Sequence, residues 1–304
     1  MSFMTENPFD PITLSKIANM ELRARLVVDG ILSGIHKSPY KGSSIEFLEH
    51  KEYSPGNEIK HIDWKVLART DKYYIKEFEE ETNLKCYIFI DTSGSMGYKS
   101  TGISKLDYAA TLAASLAYLL LKQSDLVGLI AFSDKALQYI PPRSRLTHLH
   151  VLLNALTELK TTGKSNTGAV LNEFVEKIGR RSLLIIISDF FDDMKKIVHQ
   201  LKYFQFKKNE IILFHVLDPY ELTFPFEAIT FFESMEDDRR ILADPKSIKD
   251  RYLAGMKHFL EQFRQSCFEN HIDYWLVDSS TPLDQALIKF LTRRESTLHP
   301  LHKD

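Results

Sequence analysis

A short polar turn directly after an apolar run holds the residues best suited to chemistry. The run Cys86–Ile90 is typical of a buried strand, and Asp91, Ser93 and Ser95 follow it at alternate positions. One carboxylate and two hydroxyls are hard oxygen ligands, which suit a small divalent cation such as Mg²⁺ or Mn²⁺. In an open α/β sheet, ligands gather at the carboxyl ends of the strands. The turn therefore predicts a metal-binding loop.

Two further segments supply oxygen ligands at comparable places. Thr167 begins an apolar helical segment, and Asp189 follows the apolar run that ends at Ser188. If the two strands are neighbours, these two residues and the Asp91 turn converge on one crevice, where water can complete an octahedral shell. Each residue also has a plain structural explanation, because serine, threonine and aspartate favour turns and helix caps. We predict a joint metal site, since all of these residues would lie at one edge of the sheet.

The elements that must position these residues alternate between strand and helix from Leu84 onward. Several predicted strands are continuous apolar runs, which indicates a sheet covered by helices on both faces. We therefore predict an α/β fold with a doubly wound, mostly parallel sheet. The predicted strands are Cys86–Ile90, Leu126–Phe132, Ala136–Ile140, Leu183–Ser188, Ile211–Leu217 and Asp273–Val277. The predicted helices are Lys105–Gln123, Arg145–Leu159, Thr167–Ile178, Asp193–Phe204, Asp250–His271 and Leu283–Arg293.

The chain before and after this alternation has a different pattern. Residues 1–83 combine a helical pattern near Thr13–Gly34, a stretch rich in turn-forming residues and a short strand near Tyr73–Phe78, so we predict an N-terminal α+β appendage. The sheet domain then spans residues 84–295. Within about 218–248, two apolar runs flank the charged stretch Met235–Arg239, which predicts an inserted β-hairpin. The hairpin could cover a sheet edge or face a partner, and we expect the former as the more economical explanation. We expect residues 296–304 to form a flexible tail.

The composition narrows the class of protein. The 304 residues are 44% hydrophobic and 26% charged, and the formal net charge of −2 gives no overall field that would attract nucleic acid. Cys86 and Cys267 are far apart, so two buried thiols in a reducing compartment are expected. No basic region followed by an apolar one opens the chain, and the apolar stretch Tyr108–Leu121 is too short to cross a bilayer. These features favour a cytoplasmic location.

The polar residues also resemble a known site. The pattern Asp91-x-Ser93-x-Ser95, with a threonine at 167 and an aspartate at 189, resembles the metal-ion-dependent adhesion site of von Willebrand factor type A domains. The segments Tyr53–Arg69 and Lys76–Glu79 resemble the signature of domain-of-unknown-function family 58, in which such a segment precedes a von Willebrand A-like domain. Members of that family are bacterial or archaeal, and they are often encoded beside MoxR-type AAA+ ATPases.

This resemblance implies a function in binding. It implies that the serines and the threonine coordinate Mg²⁺ or Mn²⁺ directly or through water, and that the aspartates act partly through water. Neutral hydroxyl ligands leave positive charge on the cation, so an open position can accept an Asp or Glu from a partner protein. The resemblance thus implies a non-enzymatic interaction module, acting with a MoxR-type ATPase in chaperone-like assembly or maturation.

Three other functions are weighed against this one. A Mg²⁺-dependent phosphohydrolase of the haloacid dehalogenase type would also place an aspartate after its first strand, but its acid/base two residues later is here Ser93. A serine hydrolase using Ser95 would need the GxSxG elbow, which is absent, and a base such as His148, His150 or His215. Nucleic acid could bind the basic and aromatic residues between Lys60 and Tyr74, but Glu77 and three further glutamates follow closely.

Overall fold

The fold was analysed in a computed structural model of the chain. It describes residues 11–15, 18–35, 50–52, 74–76, 84–100 and 102–298. The chain divides into two compact units, one formed by Met1–Leu32 with Leu84–Asp304 and the other by Ser33–Asn83. The segment 53–69, including Trp64, and the basic cluster from Lys60 to Lys72 lie outside the described residues.

A six-stranded sheet forms the centre of the larger unit. Its spatial order is β10-β7-β6-β3-β4-β5, and every neighbouring pair is parallel except β4 and β5. The strands are β3 (Lys85–Asp91), β4 (Leu126–Phe132), β5 (Ala136–Arg143), β6 (Ser182–Ser188), β7 (Glu210–Leu217) and β10 (Asp273–Asp278). The predicted α/β fold with a doubly wound, mostly parallel sheet is confirmed.

Helices cover both faces of this sheet. Among the described elements they are α1 (Pro11–Ser15), α2 (Met20–Ile35), α3 (Lys105–Lys122), α4 (Thr147–Thr157), α5 (Thr167–Val175), α6 (Met194–Phe206), α7 (Pro219–Thr223), α8 (Pro245–Glu269) and α9 (Leu283–Leu298). Strand β3 alternates between the faces, as the period of two requires. Its Tyr87 and Phe89 join the buried cluster that includes Phe174 of α5, Phe204 of α6 and Phe263 of α8.

Strand β3 is also the point from which the chain winds in two directions. The chain leaves β3 through α3 to reach its neighbour β4, and it later reaches β6 on the other side of β3. Such a switch point opens a crevice at the carboxyl ends of the two strands. Asp91 is the last residue of β3, and Asp189 directly follows β6. The topology therefore brings the two aspartates to the same edge of the sheet.

Two short antiparallel pairs complete the described strands. The smaller unit contains β1 (His50–Glu52) paired with β2 (Tyr74–Lys76). In the larger unit, β8 (Thr230–Glu233) pairs with β9 (Arg240–Ala243), which confirms the predicted hairpin around a charged turn. The inner face of the hairpin packs through Phe232, whose ring stacks on that of Phe224 with centroids 5.7 Å apart.

Several predicted boundaries differ from those observed. The helix α8 begins five residues earlier than predicted, because Asp244 caps it and Pro245 occupies its first turn. Helix α9 continues to Leu298, so the first part of the predicted flexible tail is helical, and residues 299–304 lie outside the described residues. The predicted appendage 1–83 also differs from the compact units, since α2 groups with the sheet through contacts such as Lys122–Asp29 at 3.0 Å.

Two sequence expectations about the whole chain can be compared with the structure. Cys86 and Cys267 are both buried and are not joined by a disulfide, as predicted. Within the described residues, no helix combines the length and the apolar character needed to cross a bilayer.

Candidate metal centre

Asp91 lies at the centre of the site and is fully buried. Its Oδ1 accepts a hydrogen bond from the backbone N–H of Ser93 at 2.8 Å. Its Oδ2 accepts hydrogen bonds from the hydroxyl of Ser188 at 2.6 Å and from that of Ser165 at 3.1 Å. Since three donors from three loops meet on one carboxylate, Asp91 joins the carboxyl ends of β3 and β6 to the loop before α5.

Ser93 and Ser95 point their hydroxyls toward each other across the turn after β3. The two Oγ atoms are 3.2 Å apart. Residues Gly94–Gly97 form a 3₁₀ helix, and Ser93 stands at its N-cap position without using its side chain as a cap. The sequence allowed a plain capping role for these serines. Because the Ser93 hydroxyl does not cap the helix, it is available to the site.

Thr167 enters the same cluster from the start of α5. Asn166 is the N-cap of this helix, with its side chain accepting from the backbone N–H of Ala169 at 3.3 Å. The alternative role of Thr167 as an N-cap is therefore wrong. The Thr167 Oγ1 is buried and lies 3.2 Å from the Oγ of Ser165, which in turn contacts Asp91.

The loop that carries Ser165 is held against the turn after β3 by backbone hydrogen bonds. The backbone N–H of Gly94 donates a hydrogen bond to the carbonyl of Gly163 at 2.9 Å. The backbone N–H of Thr162 donates one to the carbonyl of Thr92 at 2.7 Å. Asn166 donates to the carbonyl of Ser133 at 3.0 Å, which fixes the loop to the end of β4. These bonds position the hydroxyl-bearing residues through the backbone rather than through the hydroxyls themselves.

Asp189 is fully buried and paired with a buried lysine. Its Oδ2 lies 2.8 Å from the Nζ of Lys105, the first residue of α3. The same Nζ lies 2.7 Å from Glu221 Oε1, and the Lys105 side chain has no solvent exposure. Burial lowers the pKa of Lys105, but Asp189 and Glu221 outweigh that effect, so its pKa is raised and it stays charged. Lys105 therefore supplies a permanent positive charge beside the site.

The turn of the β8–β9 hairpin lies over the site rather than along a sheet edge. A Cβ added at Gly94 would lie 2.0 Å from the carbonyl oxygen of Met235, so the two backbones are in close contact. The next residue, Glu236, interacts with the Ser95 hydroxyl and with the backbone N–H of Ser165. The expectation that the hairpin covers a sheet edge is wrong, because β3, beneath the turn, is a central strand.

Burial raises the pKa of two carboxyl groups at the site, those of Asp91 and Glu236. Burial raises the pKa of Asp91, and the nearby charge of Asp189 raises it further, although hydrogen bonds from Ser188 and Ser93 lower it in part. The pKa of Glu236 is also raised, first by burial and then by Asp189, against a lowering by Ser95. Both groups therefore lie in surroundings that favour either a proton or an additional positive charge.

The donor set fits a hard divalent cation. Asp91 and Asp189 supply carboxylate oxygens, and Ser93, Ser95 and Thr167 supply hydroxyl oxygens around the same crevice. Carboxylates, hydroxyls and water are the ligands that Mg²⁺ accepts. No group of three His, Cys, Asp or Glu side chains able to hold a metal occurs within the described part of the chain. A cation here would therefore depend on the hydroxyls.

The geometry weakens the hydrolase alternatives. His148 Nε2 contacts the backbone carbonyl of Val127 at 3.0 Å, and His215 Nδ1 contacts the hydroxyl of Tyr274 at 2.8 Å. His150 lies 3.4 Å from Glu21 on the outer surface. Each histidine thus has a partner away from Ser95, whose hydroxyl contacts Ser93. Position 93 carries a hydroxyl where a haloacid dehalogenase would carry its acid/base carboxylate. The buried Lys105, which a phosphohydrolase would need free to bind phosphate, is already paired with two carboxylates.

Sequence reasoning missed five residues of this site: Ser165, Ser188, Lys105, Glu221 and Glu236. Ser165 lies two residues before Thr167, which repeats the alternate spacing of Ser93 and Ser95 and was a usable signal. Glu221 forms a capping box with Asp218 at the start of α7, which the motif Asp-Pro-Tyr-Glu also indicates. Lys105 and Glu236 gave no local signal, because their partners lie far away in the sequence.

Known proteins resemble this chain over most of its length. The uncharacterized protein Rv1480 of Mycobacterium tuberculosis is 24% identical over 254 residues, which cover 82% of this chain and 80% of that protein. The solved structure of conserved hypothetical protein BatB from Bacteroides thetaiotaomicron is 19% identical with a TM-score of 0.47, covering 70% of this chain and 99% of that one. The SpRpn10 VWA domain is 10% identical with a TM-score of 0.42, covering 68% and 95%.

A family model also matches the chain. The family described as "Protein of unknown function DUF58" matches residues 49–258. The match includes the site residues at the ends of β3 and β6, the loop before α5 and the hairpin. Because it covers more than half of the 304 residues, the chain belongs to the DUF58 family.

Proposed function

We propose that this protein is a metal-dependent protein-interaction module. In this proposal Asp91, Ser93, Ser95, Thr167 and Asp189 hold a Mg²⁺ or Mn²⁺ ion, and the ion accepts an Asp or Glu side chain of a partner protein. The function is binding rather than catalysis. The resemblance to the adhesion site of von Willebrand A domains and the family membership support this choice.

One observation carries the proposal. The hydroxyls of Ser93, Ser95 and Thr167 converge beside the buried Asp91, although none of them is needed to cap a helix. These hydroxyls form hydrogen bonds within the cluster. Hydroxyl and carboxylate oxygens gathered at one strand end are the ligands that a hard cation accepts, and such a cation would use all of them.

A cavity beside the site could admit a partner's side chain, and because its lining includes Glu221, Glu233 and Glu236, the attraction for a carboxylate would come from the ion. A cavity of about 260 Å³ lies beside Ser95, between the 3₁₀ turn, Phe191 and the hairpin turn. A carboxylate entering it would approach the proposed ion from the side of Ser95. Charge-assisted coordination by a carboxylate is strong and directional, so a single Asp or Glu of the partner could dominate recognition.

The partner that we propose is a MoxR-type AAA+ ATPase acting in assembly or maturation of other proteins. This step rests on the family resemblance, in which such ATPases are often encoded beside the relatives. A fold by itself does not establish a partner, so capture experiments must test it directly.

The first prediction concerns Asp91→Ala. Loss of an outer-shell partner alone costs roughly 10–100-fold in metal affinity, so loss of this carboxylate should weaken Mn²⁺ binding by at least about 100-fold. Isothermal titration with Mn²⁺ and with Mg²⁺ measures the change. Glu158→Gln, at an exposed position after α4, is the matched control and should bind like the natural protein.

The same variant tests the partner. We expect pull-downs from the native cell to retain a MoxR-type ATPase with Mg²⁺, and to lose it with chelator or with Asp91→Ala. If natural protein binds neither metal, the metal centre is wrong. If it binds metal but captures identical proteins in all three samples, the role of the metal in partner binding is wrong.

A further inference from the structure

The hairpin turn brings a further carboxylate to the Ser95 side of the candidate metal centre, where it would join the hydroxyls rather than form a three-acid group with Asp91 and Asp189. Three consecutive acids occupy this turn, and they point in different directions. Asp237 pairs with Arg239 at 2.9 Å and with Lys164 at 3.2 Å, and Asp238 is exposed. Glu236 instead points inward, toward Ser95 and Ser165. The turn therefore selects one acid of the three for the site.

The carboxylate of Glu236 is incompletely paired. Its Oε1 is buried and has no hydrogen-bond partner among the residues that the structure describes. A buried carboxylate oxygen without a donor costs free energy. Lys164 contributes positive charge to Glu236, but its ammonium is exposed and pairs with Asp237 at 3.2 Å. Among the described residues, Glu236 Oε1 therefore has a positive charge nearby but no donor of its own.

The backbone around Glu236 holds it in this position. The Met235 carbonyl is in close contact with Gly94. The hydroxyl of Ser234 accepts a hydrogen bond from the backbone N–H of Glu236 at 3.3 Å. Within β8, close to the turn, the ring of Phe232 packs on Phe224. The inward direction of the side chain is therefore a property of the whole hairpin rather than of one rotamer.

We propose that Glu236 is an internal ligand of the metal centre and occupies the position that a partner's carboxylate would take. This inference rests on the proposed function and makes it more specific. A partner Asp or Glu must displace Glu236, so the hairpin acts as a competitor built into the chain. The partner's carboxylate and the hairpin then exclude each other at the ion.

Displacement of the turn is feasible because its outer tether is weak. The ion pair between Lys164 and Asp237 is exposed on the lysine side, and pairs of this kind contribute roughly 0–1 kcal/mol. The aromatic packing of Phe232 on Phe224 lies within the paired strands rather than in the turn itself. The turn can therefore move away from Gly94 while the paired strands stay anchored.

The test compares Glu236→Ala with Asp238→Asn, its matched control in the same turn. In Glu236→Ala we expect Mn²⁺ affinity to fall by roughly 10-fold or more, and added acetate to restore part of it. Acetate should have little effect on the natural protein, because Glu236 already fills the position. Asp238→Asn should bind Mn²⁺ like the natural protein with or without acetate.

Hydrogen exchange supplies a second readout that does not depend on affinity. In the natural protein, Mg²⁺ should slow amide exchange in residues 230–243, and Glu236→Gln should remove that slowing. Unchanged Mn²⁺ affinity in Glu236→Ala, together with metal-insensitive exchange in the natural hairpin, would overturn the inference while leaving the metal centre intact. If the natural protein binds no metal, the proposed function fails as well, and the Asp91→Ala titration identifies that case.

Discussion

Lys105 is the single residue on which the electrostatics of the site depend most. Its ammonium lies between Asp189 and Glu221, and its side chain is completely buried. Removing one member of a buried ion pair leaves the other charges without compensation, which is far more costly than the loss of an exposed pair. The other buried residues of the helix that begins here are uncharged, so none of them can replace the charge.

The prediction for Lys105→Met is a large loss of stability. The two carboxylates left behind should lower the free energy of unfolding by about 3–5 kcal/mol, as measured by urea denaturation. Lys122→Met, at the exposed end of the same helix, is the control and should cost no more than about 1 kcal/mol. Adding Glu221→Gln to Lys105→Met should recover part of the loss. Equal losses in both single variants would show that the buried pairs do not stabilise the fold.

Single residues of the site were predictable only where their neighbours in the sequence revealed them. Asp91, Ser93 and Ser95 share one turn, and Asp189 directly follows an apolar run, so local pattern sufficed for these. Lys105 begins an amphipathic segment, where a lysine usually faces solvent. Its burial follows from contacts with residues 84 and 116 positions away in the chain, and spacing alone cannot reveal such contacts.

The hairpin and the turn after β3 are the two elements whose contact shapes the entrance to the site. Gly94 stands at the contact, where the absence of a side chain allows the Met235 carbonyl to approach. Any side chain at this position would push against backbone, which is harder to move than a flexible side chain. The glycine is therefore required by the packing of one element against the other.

The prediction for Gly94→Ala is a displaced hairpin turn. Overpacking of this kind costs roughly 1–3 kcal/mol, and amide exchange should accelerate in residues 234–239. The control is Gly255→Ala in α8, where an added Cβ meets nothing within 4 Å. That change should stabilise the protein by about 0.5–1 kcal/mol, because alanine favours a helix over glycine. Normal exchange in the turn of Gly94→Ala would contradict the close contact.

Elements were predicted best where the hydrophobic pattern had one explanation. Strand β4 has the predicted bounds, and β3, β6 and β7 differ by one residue at one or both ends, because buried parallel strands read as continuous apolar runs. Helix α8 was predicted to begin too late, since Lys246 and Ser247 in its first turn are polar and exposed and its cap and proline are the signals of where it starts. The hairpin was predicted as an element, but its position over β3 depends on tertiary packing.

At the scale of the whole molecule, buried titratable groups link stability to pH. His148 lies in the first turn of α4, where it is buried and contacts the Val127 carbonyl at 3.0 Å, with Arg143 of β5 as the nearby charge. Burial lowers the pKa of His148 below its ordinary value, although the hydrogen bond to Val127 opposes the shift and Arg143 adds to it. The folded state therefore prefers the neutral ring, while the unfolded chain protonates near pH 6.5.

The sign of the resulting prediction follows from this difference. The contribution of His148 to the free energy of unfolding is fully present above about pH 6.5. It is lost as the pH falls toward the lower pKa that His148 has in the folded state, by at most about 1.4 kcal/mol per pH unit for one proton. His148→Gln should remove this part of the pH dependence. Urea denaturation of both proteins from pH 7.5 down to pH 5 measures the difference. If the two curves stay parallel over this range, the ring is not kept neutral by folding.

The whole molecule was predictable in its class and less so in its assembly. Alternating strands and helices were enough to predict the doubly wound sheet, but the strand order follows from crossovers that the sequence does not display. The metal-ligand prediction needed that order, because Asp91 and Asp189 come together only when β3 and β6 are neighbours. The sequence was even less informative about which unit contains α2, since the packing of α2 against α3 depends on which face of α3 the other elements leave uncovered.

The buried Lys105 also has a consequence for the timing of the protein's maturation. A bound ion can be scarce or can leave, whereas a lysine is synthesised with the chain in a fixed one-to-one ratio with the acids that it neutralises. Asp189 and Glu221 therefore have a counter-charge as soon as α3 packs on the sheet. Folding of this edge does not have to wait for an ion, and loading of the proposed metal can be a later and separately controlled event in the life of the chain.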